Sequence, residues 1–282
     1  MTQAAANGDE RRAEPGARRR RQRRATRAAD LSDRELEILS SVVAHRYLAA
    51  RQIQALHFSD HASDLSAART CRRVLERLSE RGALARLERR IGGVRAGSAS
   101  FVYQIGSRGL SILRELGHPV GSRRYEPGVG FLEHHLAIAD LHVTLVEAER
   151  QGHVLIAELQ LEPHCWRAHS DLGGQPLWLR PDLYVALRVG EETTHWFVEV
   201  DRGTESIQSL VRKCRAYEQY LRSGVEQRHI GAFPYVCWSL PRATRIEQFG
   251  AALARTREMT VEAHQLVLDD QTVDHLVRMS RA

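Results

Sequence analysis

Three acidic residues, Asp182, Glu199 and Asp201, are the side chains of this sequence whose types and spacing could do chemistry. Two alternating apolar runs, 183–189 and 195–200, flank a short Gly-Glu turn, and this pattern predicts a β-hairpin. Counting outward from the turn places Asp182 opposite Glu199. Asp201 then shares a strand face with Glu199, because the two residues are two positions apart. The sequence therefore predicts three carboxylates at one end of a hairpin that is otherwise apolar.

Carboxylates that are buried together repel one another unless a cation or a proton offsets their charge. Hard divalent cations prefer oxygen ligands of this kind. We therefore expect Asp182, Glu199 and Asp201 to hold Mg²⁺ or Mn²⁺. Without the ion, we expect at least one of the three to have a raised pKa.

The spacing of these residues resembles a known nuclease motif. Pro181 and Asp182, sixteen intervening residues, and then Glu199-Val200-Asp201 are similar to the signature of the PD-(D/E)XK nuclease superfamily. The resemblance implies that Asp182 and Glu199 bind a metal and that a lysine assists the attacking water. Asp201 stands where that lysine is expected. A lysine on the following helix replaces it in some members, and Lys213, the only lysine of the chain, occupies such a position.

Residues 31–117 have the order of elements that is typical of a winged helix-turn-helix: three helices and then two strands around a Gly-rich tip. The third predicted helix, from about Leu65 to Arg81, has an apolar stripe on one side and arginines on the other. Arginines on a recognition helix read guanine edges or hold phosphates. A solvated helix face and a protein-binding module are the alternatives. The residues expected to contact double-stranded DNA are Arg69, Arg72, Arg73 and Arg77, with Arg95 at the tip of the wing.

The whole chain resembles the replication-relaxation family of plasmids and mobile elements, which combines these two parts. The expected fold class is α+β, with a winged helix-turn-helix domain followed by an α/β PD-(D/E)XK nuclease-like domain that has a mixed central sheet. The predicted division is a disordered Arg-rich tail (1–30), the winged helix (31–117), a linker (118–130) and the nuclease-like domain (131–282).

The charge pattern agrees with a polyanionic partner for the N-terminal half. The chain has a net charge of +6, and basic residues outnumber acidic ones up to about residue 130, while acidic residues are in excess afterwards. The Arg-rich tail (1–30) either contacts DNA phosphates or is only a solvated segment. The four scattered cysteines predict free thiols in a reducing cytoplasm, and no apolar run is long enough to span a membrane.

These observations predict a DNA-binding protein that acts in plasmid replication, DNA relaxation or transfer. A Mg²⁺-dependent endonuclease or nickase is one alternative, and a winged-helix transcriptional regulator with an inactive nuclease-like domain is another. A homodimer and contacts with replication or mobilisation proteins stay open. Glu133 or His135, on the first helix of the second domain, could also line the site; an ordinary polar surface is the other interpretation.

Overall fold

The structure is a computed structural model that describes residues 30–61, 63–91, 100–118, 128–171, 173–257 and 259–281. We call residues 30–118 the N-terminal lobe and residues 128–281 the C-terminal lobe. The predicted tail, the tip of the predicted wing with Arg95, and most of the predicted linker lie outside the described residues. No helix in the part of the chain that is described is long and apolar enough to cross a membrane.

The N-terminal lobe consists of four helices and a small antiparallel sheet in the order β1-β3-β2. Its first helix begins with a capping box, in which the Ser32 side chain accepts from the Glu35 amide and the Glu35 side chain binds the Ser32 amide. Its elements are α1 (Asp33–His45), β1 (Leu48–Ala49), α2 (Ala50–His57), α3 (Asp64–Glu80), β2 (Leu84–Ile91), β3 (Ser100–Ile105) and α4 (Ser107–Glu115).

The C-terminal lobe is built on a mixed five-stranded sheet in the order β10-β9-β8-β7-β4, as the predicted α+β class requires. A separate two-stranded antiparallel sheet is formed by β5 and β6. Its elements are α5 (Val129–Arg150), β4 (Leu155–Leu161), β5 (Arg167–Ser170), β6 (Pro176–Leu179), β7 (Leu183–Val189), β8 (Glu192–Val200), α6 (Ile207–Ser223), α7 (Val225–Ile230), β9 (Tyr235–Leu240), α8 (Ala243–Ala254), β10 (His264–Leu268) and α9 (Thr272–Met279).

The β7–β8 hairpin has the register that the sequence predicts. Val189 lies opposite Glu192, and Leu183 lies opposite Val198 at the far end. Strand β9 pairs with β8 in parallel on one side of the hairpin, and β4 pairs with β7 on the other side. The predicted hairpin therefore lies inside the sheet rather than at its edge. Both faces of the hairpin are therefore buried, which explains why its residues are apolar at nearly every position.

Alternate residues of the hairpin enter two different cores. Leu183 and Val198 pack with helices α5 and α9 on one face of the sheet. Tyr184 and Phe197 pack with helices α6 and α8 on the other face. Because side-chain direction alternates along a strand, the residues two positions beyond Tyr184 and Phe197, which are Asp182 and Glu199, belong to the same side as this second set. This parity sets the position of the acidic residues at the end of the hairpin.

Helix α5 is shared by the two lobes. Leu132 and Leu136 pack against the N-terminal lobe, whereas Ile138, Leu141 and Leu145 pack on the sheet of the C-terminal lobe. A helix that is buried on two sides has two overlapping apolar stripes rather than one. Val143 and Val146, which continue the spacing of Leu132, Leu136 and Ala139, are only half-buried.

Polar contacts also join the lobes across α5. The Gln52 side-chain amide donates to the Leu136 carbonyl (2.8 Å) and to Asp140 Oδ1 (2.7 Å). Arg51 makes two hydrogen bonds to the Asp140 carboxylate, at 2.6 and 2.7 Å. Apolar packing and these bonds together fix the orientation of the N-terminal lobe on the helix that also supports the acidic residues.

Candidate functional site: an acidic pair and an arginine face

Asp182 lies immediately before β7 and is buried. Its Oδ2 atom accepts a hydrogen bond from the Val200 amide at 2.7 Å, which ties the start of β7 to the end of β8. Its Oδ1 atom lies 3.1 Å from His134 Nε2 on helix α5. Both carboxylate oxygens are therefore held in fixed positions by neighbouring elements.

Glu199 is on β8 and is almost completely buried on the α6 side of the sheet. Tyr217 donates its hydroxyl to Glu199 Oε1 at 2.7 Å, and Lys213 Nζ lies 3.1 Å from Glu199 Oε2. Lys213 and Tyr217 are four residues apart on α6, so they point to the same side of that helix. Lys213 also contacts Glu205 Oε1 at 3.0 Å. The lysine that the sequence singled out is thus in direct contact with Glu199, one of the three predicted metal ligands.

The electrostatics of the site follow from burial and from the closeness of the two acids. Burial and the nearby Asp182 carboxylate raise the pKa of Glu199 to about 7, although Lys213 and Tyr217 act in the opposite direction. Burial lowers the pKa of Lys213, but the charges of Glu199 and Asp182 outweigh it and raise that pKa above its ordinary value. The raised pKa of Glu199 is the behaviour expected for at least one member of the acidic group.

Asp201 has a different environment from the other two acids, and the predicted convergence of three carboxylates does not occur. Strand β8 ends at Val200, and the Asp201 carboxylate turns to the buried Arg245 of α8, whose Nη2 lies 3.0 Å from Oδ1. The Gly203 amide donates to the same oxygen at 2.9 Å. Arg245 also donates to the Glu205 carbonyl at 2.6 Å. Asp201 therefore fixes the loop after β8, because a cation from a distant helix neutralises it.

A recess of about 200 Å³ opens beside the acidic pair. It is lined by His134 and Lys213, the side chains that contact Asp182 and Glu199, and by Phe131, Arg202 and Glu205. Lys213 is about one-third exposed, so its ammonium group connects the buried acid to the recess. A small anionic group in the recess would meet Lys213 and Arg202, which both line it.

The donor set fits a hard divalent cation of the Mg²⁺ type. Mg²⁺ is commonly held by one or two carboxylates and keeps several waters, and Asp182 and Glu199 supply two neighbouring carboxylates whose partners, His134 and Lys213, line the recess. Within the described ranges, no group of three or more His, Cys, Asp or Glu side chains could hold a metal. Asp182 and Glu199 would therefore hold the ion without Asp201.

His134 is the residue of α5 that reaches the acidic pair. The sequence had singled out Glu133 and His135, but Glu133 is exposed, and the buried His135 ring lies among Tyr47 and Phe131. Burial lowers the pKa of His134, but its hydrogen bond to Asp182 and the Asp182 charge raise it overall. Neighbouring histidines point in different directions on a helix, and only the position of Asp182 in space selects His134.

Helix α3 presents the other predicted site. Its buried residues are Ala67, Cys71, Leu75 and Leu78. Arg69, Arg72 and Arg73 are exposed on the opposite side, and none of them makes an ion pair or hydrogen bond with any residue that the structure describes. Such exposed and unpaired guanidinium groups remain available to an external anion.

Arg77 differs from the other three arginines of α3. Its Nε atom donates to Glu35 Oε1 at 3.0 Å, and its Nη2 lies 3.0 Å from the same oxygen. Glu35 is buried and also caps α1 through Ser32. Arg77 was predicted to contact DNA, but the structure places it as the partner of a buried carboxylate that joins α3 to α1.

Comparison with known proteins gives a single finding. The family model described as replication-relaxation matches residues 39–236, which is more than half of the chain and includes α3, α5, the acidic pair and Lys213. No curated protein and no solved structure matches the chain. The chain belongs to the replication-relaxation family.

Proposed function

We propose that the protein binds double-stranded DNA through the exposed face of α3, in a role related to the replication of plasmids or mobile elements. Family membership supports the replication-related role. The observation that carries DNA binding is the set of three exposed arginines, Arg69, Arg72 and Arg73, that have no partner among the described residues. The helices and the three-stranded antiparallel sheet of the lobe that contains α3 support a winged-helix interpretation, and α5 packs on the α2 side of this lobe, away from the exposed face of α3.

The test is binding of a fluorescently labelled duplex by the full chain and by a variant in which Arg69, Arg72 and Arg73 are all changed to Ala. We expect an affinity loss on the order of 100-fold. The slope of log affinity against log salt concentration should fall by the amount that about three phosphate contacts contribute. The matched control is Arg188→Ala, because Arg188 is exposed on β7 and also has no partner among the described residues. A folded triple variant with unchanged affinity would refute the proposal.

A second function, metal-dependent cleavage of a phosphodiester, is favoured by one contact. Lys213 Nζ lies 3.1 Å from Glu199 and faces the recess beside Asp182, although the motif position of the lysine holds Asp201. A bound divalent ion would supply charge neutralisation at the phosphate and an activated water. Lys213 would hold Glu199 in place and place a positive charge at the recess, while His134 would orient Asp182.

Nicking of supercoiled plasmid in Mg²⁺ or Mn²⁺ tests this second function. We expect Lys213→Met to remove metal-dependent nicking, while the contacts that α3 makes with DNA on the other lobe are kept. If the wild-type chain binds metal but never cuts, the C-terminal lobe is a metal-stabilised scaffold, as in the regulator alternative. If nicking persists in Lys213→Met, the lysine has no part in it.

A further inference from the structure

A groove of about 760 Å³ runs between helices α6 and α8 on the C-terminal lobe. Its rims carry three exposed arginines, Arg212 and Arg215 from α6 and Arg255 at the C-terminal cap of α8. None of these arginines makes an ion pair or hydrogen bond with a residue of the described ranges. The groove is therefore positively charged on both sides, and its charges are not used by the fold.

This positive groove lies in the half of the chain in which acidic residues outnumber basic ones overall. None of the residues that line it is acidic; the polar ones besides the arginines are Gln208, Gln248 and Thr256. Arginine, glutamine and threonine side chains are the types that donate hydrogen bonds to phosphate oxygens. The composition of the lining thus fits a chain of phosphates better than it fits a neutral small molecule.

The groove and the recess at the acidic site share helix α6. Arg202 and Glu205 line the recess beside Lys213, and the chain then enters α6, whose first residues Ile207 and Gln208 line the groove. Lys213 and Arg212 are adjacent on α6, and the first faces the acidic pair while the second faces the groove. Helix α6 therefore presents a cation to the recess on one side and cations to the groove on another.

We propose that this α6–α8 groove is a second DNA-binding surface, which holds the phosphate backbone of a duplex whose other contacts are with α3. The inference rests on the proposed DNA-binding function and adds the C-terminal lobe to it. Arg212, Arg215 and Arg255 contact phosphates, and the groove contributes to affinity without sequence preference, because phosphate contacts carry no base information. An acidic amphipathic segment of another protein is the competing occupant, since Val211 and Ala252 give the groove an apolar floor.

The experiment combines two triple variants in the full chain: Arg69, Arg72 and Arg73 to Ala on α3, and Arg212, Arg215 and Arg255 to Ala in the groove. Anisotropy with a labelled random-sequence duplex is measured between about 50 and 200 mM salt. We expect the groove variant to lose about 10-fold or more in affinity, with a salt slope smaller by about two to three contacts. The combined variant should lose more than either triple variant. Arg188→Ala is the control.

The outcomes separate this inference from the proposed function. If the α3 variant loses affinity and the folded groove variant does not, the groove inference is overturned while DNA binding by α3 stands. If the groove variant loses affinity and the α3 variant does not, the groove inference stands and the α3 proposal fails. If wild-type affinity is absent, both fail. A groove variant that keeps its DNA affinity but loses binding of a labelled acidic helical peptide assigns the groove to a protein partner and overturns the inference.

Discussion

The arginine face of α3 and the acidic pair of the C-terminal lobe use charge in opposite ways. Arg69, Arg72 and Arg73 are exposed and have no partner in the described part of the chain, whereas Asp182 and Glu199 are buried and every one of their oxygens has a partner within 3.1 Å. Exposed unpaired charges cost little in water and remain free for a ligand. Buried charges must be compensated inside the protein, which fixes their geometry. The first arrangement suits binding and the second suits chemistry.

The largest effect is expected where a buried compensated charge loses its partner. Arg245→Met leaves the Asp201 carboxylate buried without its cation, and both side chains are almost fully buried. We expect the free energy of unfolding to fall by about 3–5 kcal/mol, measured by urea denaturation. Asp201→Asn in the same chain should recover part of this loss, because the uncompensated charge disappears.

The control for this prediction is Arg188→Met, which removes an exposed arginine with no partner in the described ranges. It should change the free energy of unfolding by less than about 0.5 kcal/mol. A loss for Arg245→Met as small as that of the control would show that Asp201 is free to turn elsewhere. The acid would then be available to the pair after all.

The sequence could predict some of this site because part of the information is local. Counting outward from the β7–β8 turn gave the facing positions of Asp182 and Glu199, since strand alternation depends only on neighbouring residues. Lys213 was identified from its helix and its uniqueness. Arg245 could not be found in this way. It lies in a helix that begins after another strand, and only the crossing of α8 over the end of β8 brings it to Asp201.

The same limit applies to α5 and to α3. Both helices were predicted, but the second buried face of α5 and the contact of His134 with Asp182 depend on two lobes packing on one helix. On α3, the four arginines look alike in sequence. The buried Glu35 of a different helix distinguishes Arg77 from the rest.

The next effect concerns the acidic pair. If Mg²⁺ or Mn²⁺ binds at Asp182 and Glu199, saturating metal should stabilise the folded chain by about 2.7 kcal/mol at a concentration 100 times the dissociation constant. Asp182→Asn should abolish this increase in melting temperature. It should also raise metal-free stability, because it removes the repulsion with Glu199 and keeps an oxygen that can accept from the Val200 amide.

Asp274→Asn, an exposed acid on α9, is the matched control and should respond to metal as the wild-type chain does. Titration calorimetry measures the binding directly. If no metal heat is seen with the wild-type chain, the pair is a purely structural partner for Lys213 and His134. The acidic pair would then be a structural feature, and it would no longer contrast with the arginine face of α3 as a site for chemistry.

The junction between the N-terminal lobe and α5 should make the free energy of unfolding depend on pH. His45 Nε2 and His142 Nδ1 are 2.8 Å apart across α1 and α5, and burial lowers the pKa of His45 to about 3 and that of His142 to about 4. The folded chain therefore resists protonation, while the unfolded chain takes up protons near pH 6.5. Stability is full above that pH and is lost as the pH falls, by about 1.4 kcal/mol per pH unit for each such histidine.

His142→Asn should reduce the slope of the free energy of unfolding against pH between pH 6.5 and 4. The reduction should be at least the contribution of one histidine, about 1.4 kcal/mol per pH unit. Urea midpoints at several pH values in this window measure it. His57, His135 and His264 also have pKa values lowered by burial, so a smaller slope should remain. His153→Asn, on the exposed turn after α5, is the control. An unchanged slope in His142→Asn would show that the two rings are hydrated and that the junction is open.

The smallest effect compares two arginines of the same helix, Arg73 and Arg77. The Arg77 side chain is 48% exposed and pairs with the nearly buried Glu35, so Arg77→Ala should lower the free energy of unfolding by about 1 kcal/mol. Its effect on DNA affinity should be small, because its guanidinium is already engaged. Arg73→Ala should do the reverse: stability should change by less than about 0.5 kcal/mol, and the salt slope should fall by about one contact. Urea denaturation and duplex titration of both variants measure this. Arg77→Ala should show the larger loss of stability, and Arg73→Ala should show the larger loss of DNA binding. If both variants weaken DNA binding equally, then Arg77 leaves Glu35 when DNA binds, and pairing within the fold does not separate structural arginines from binding ones.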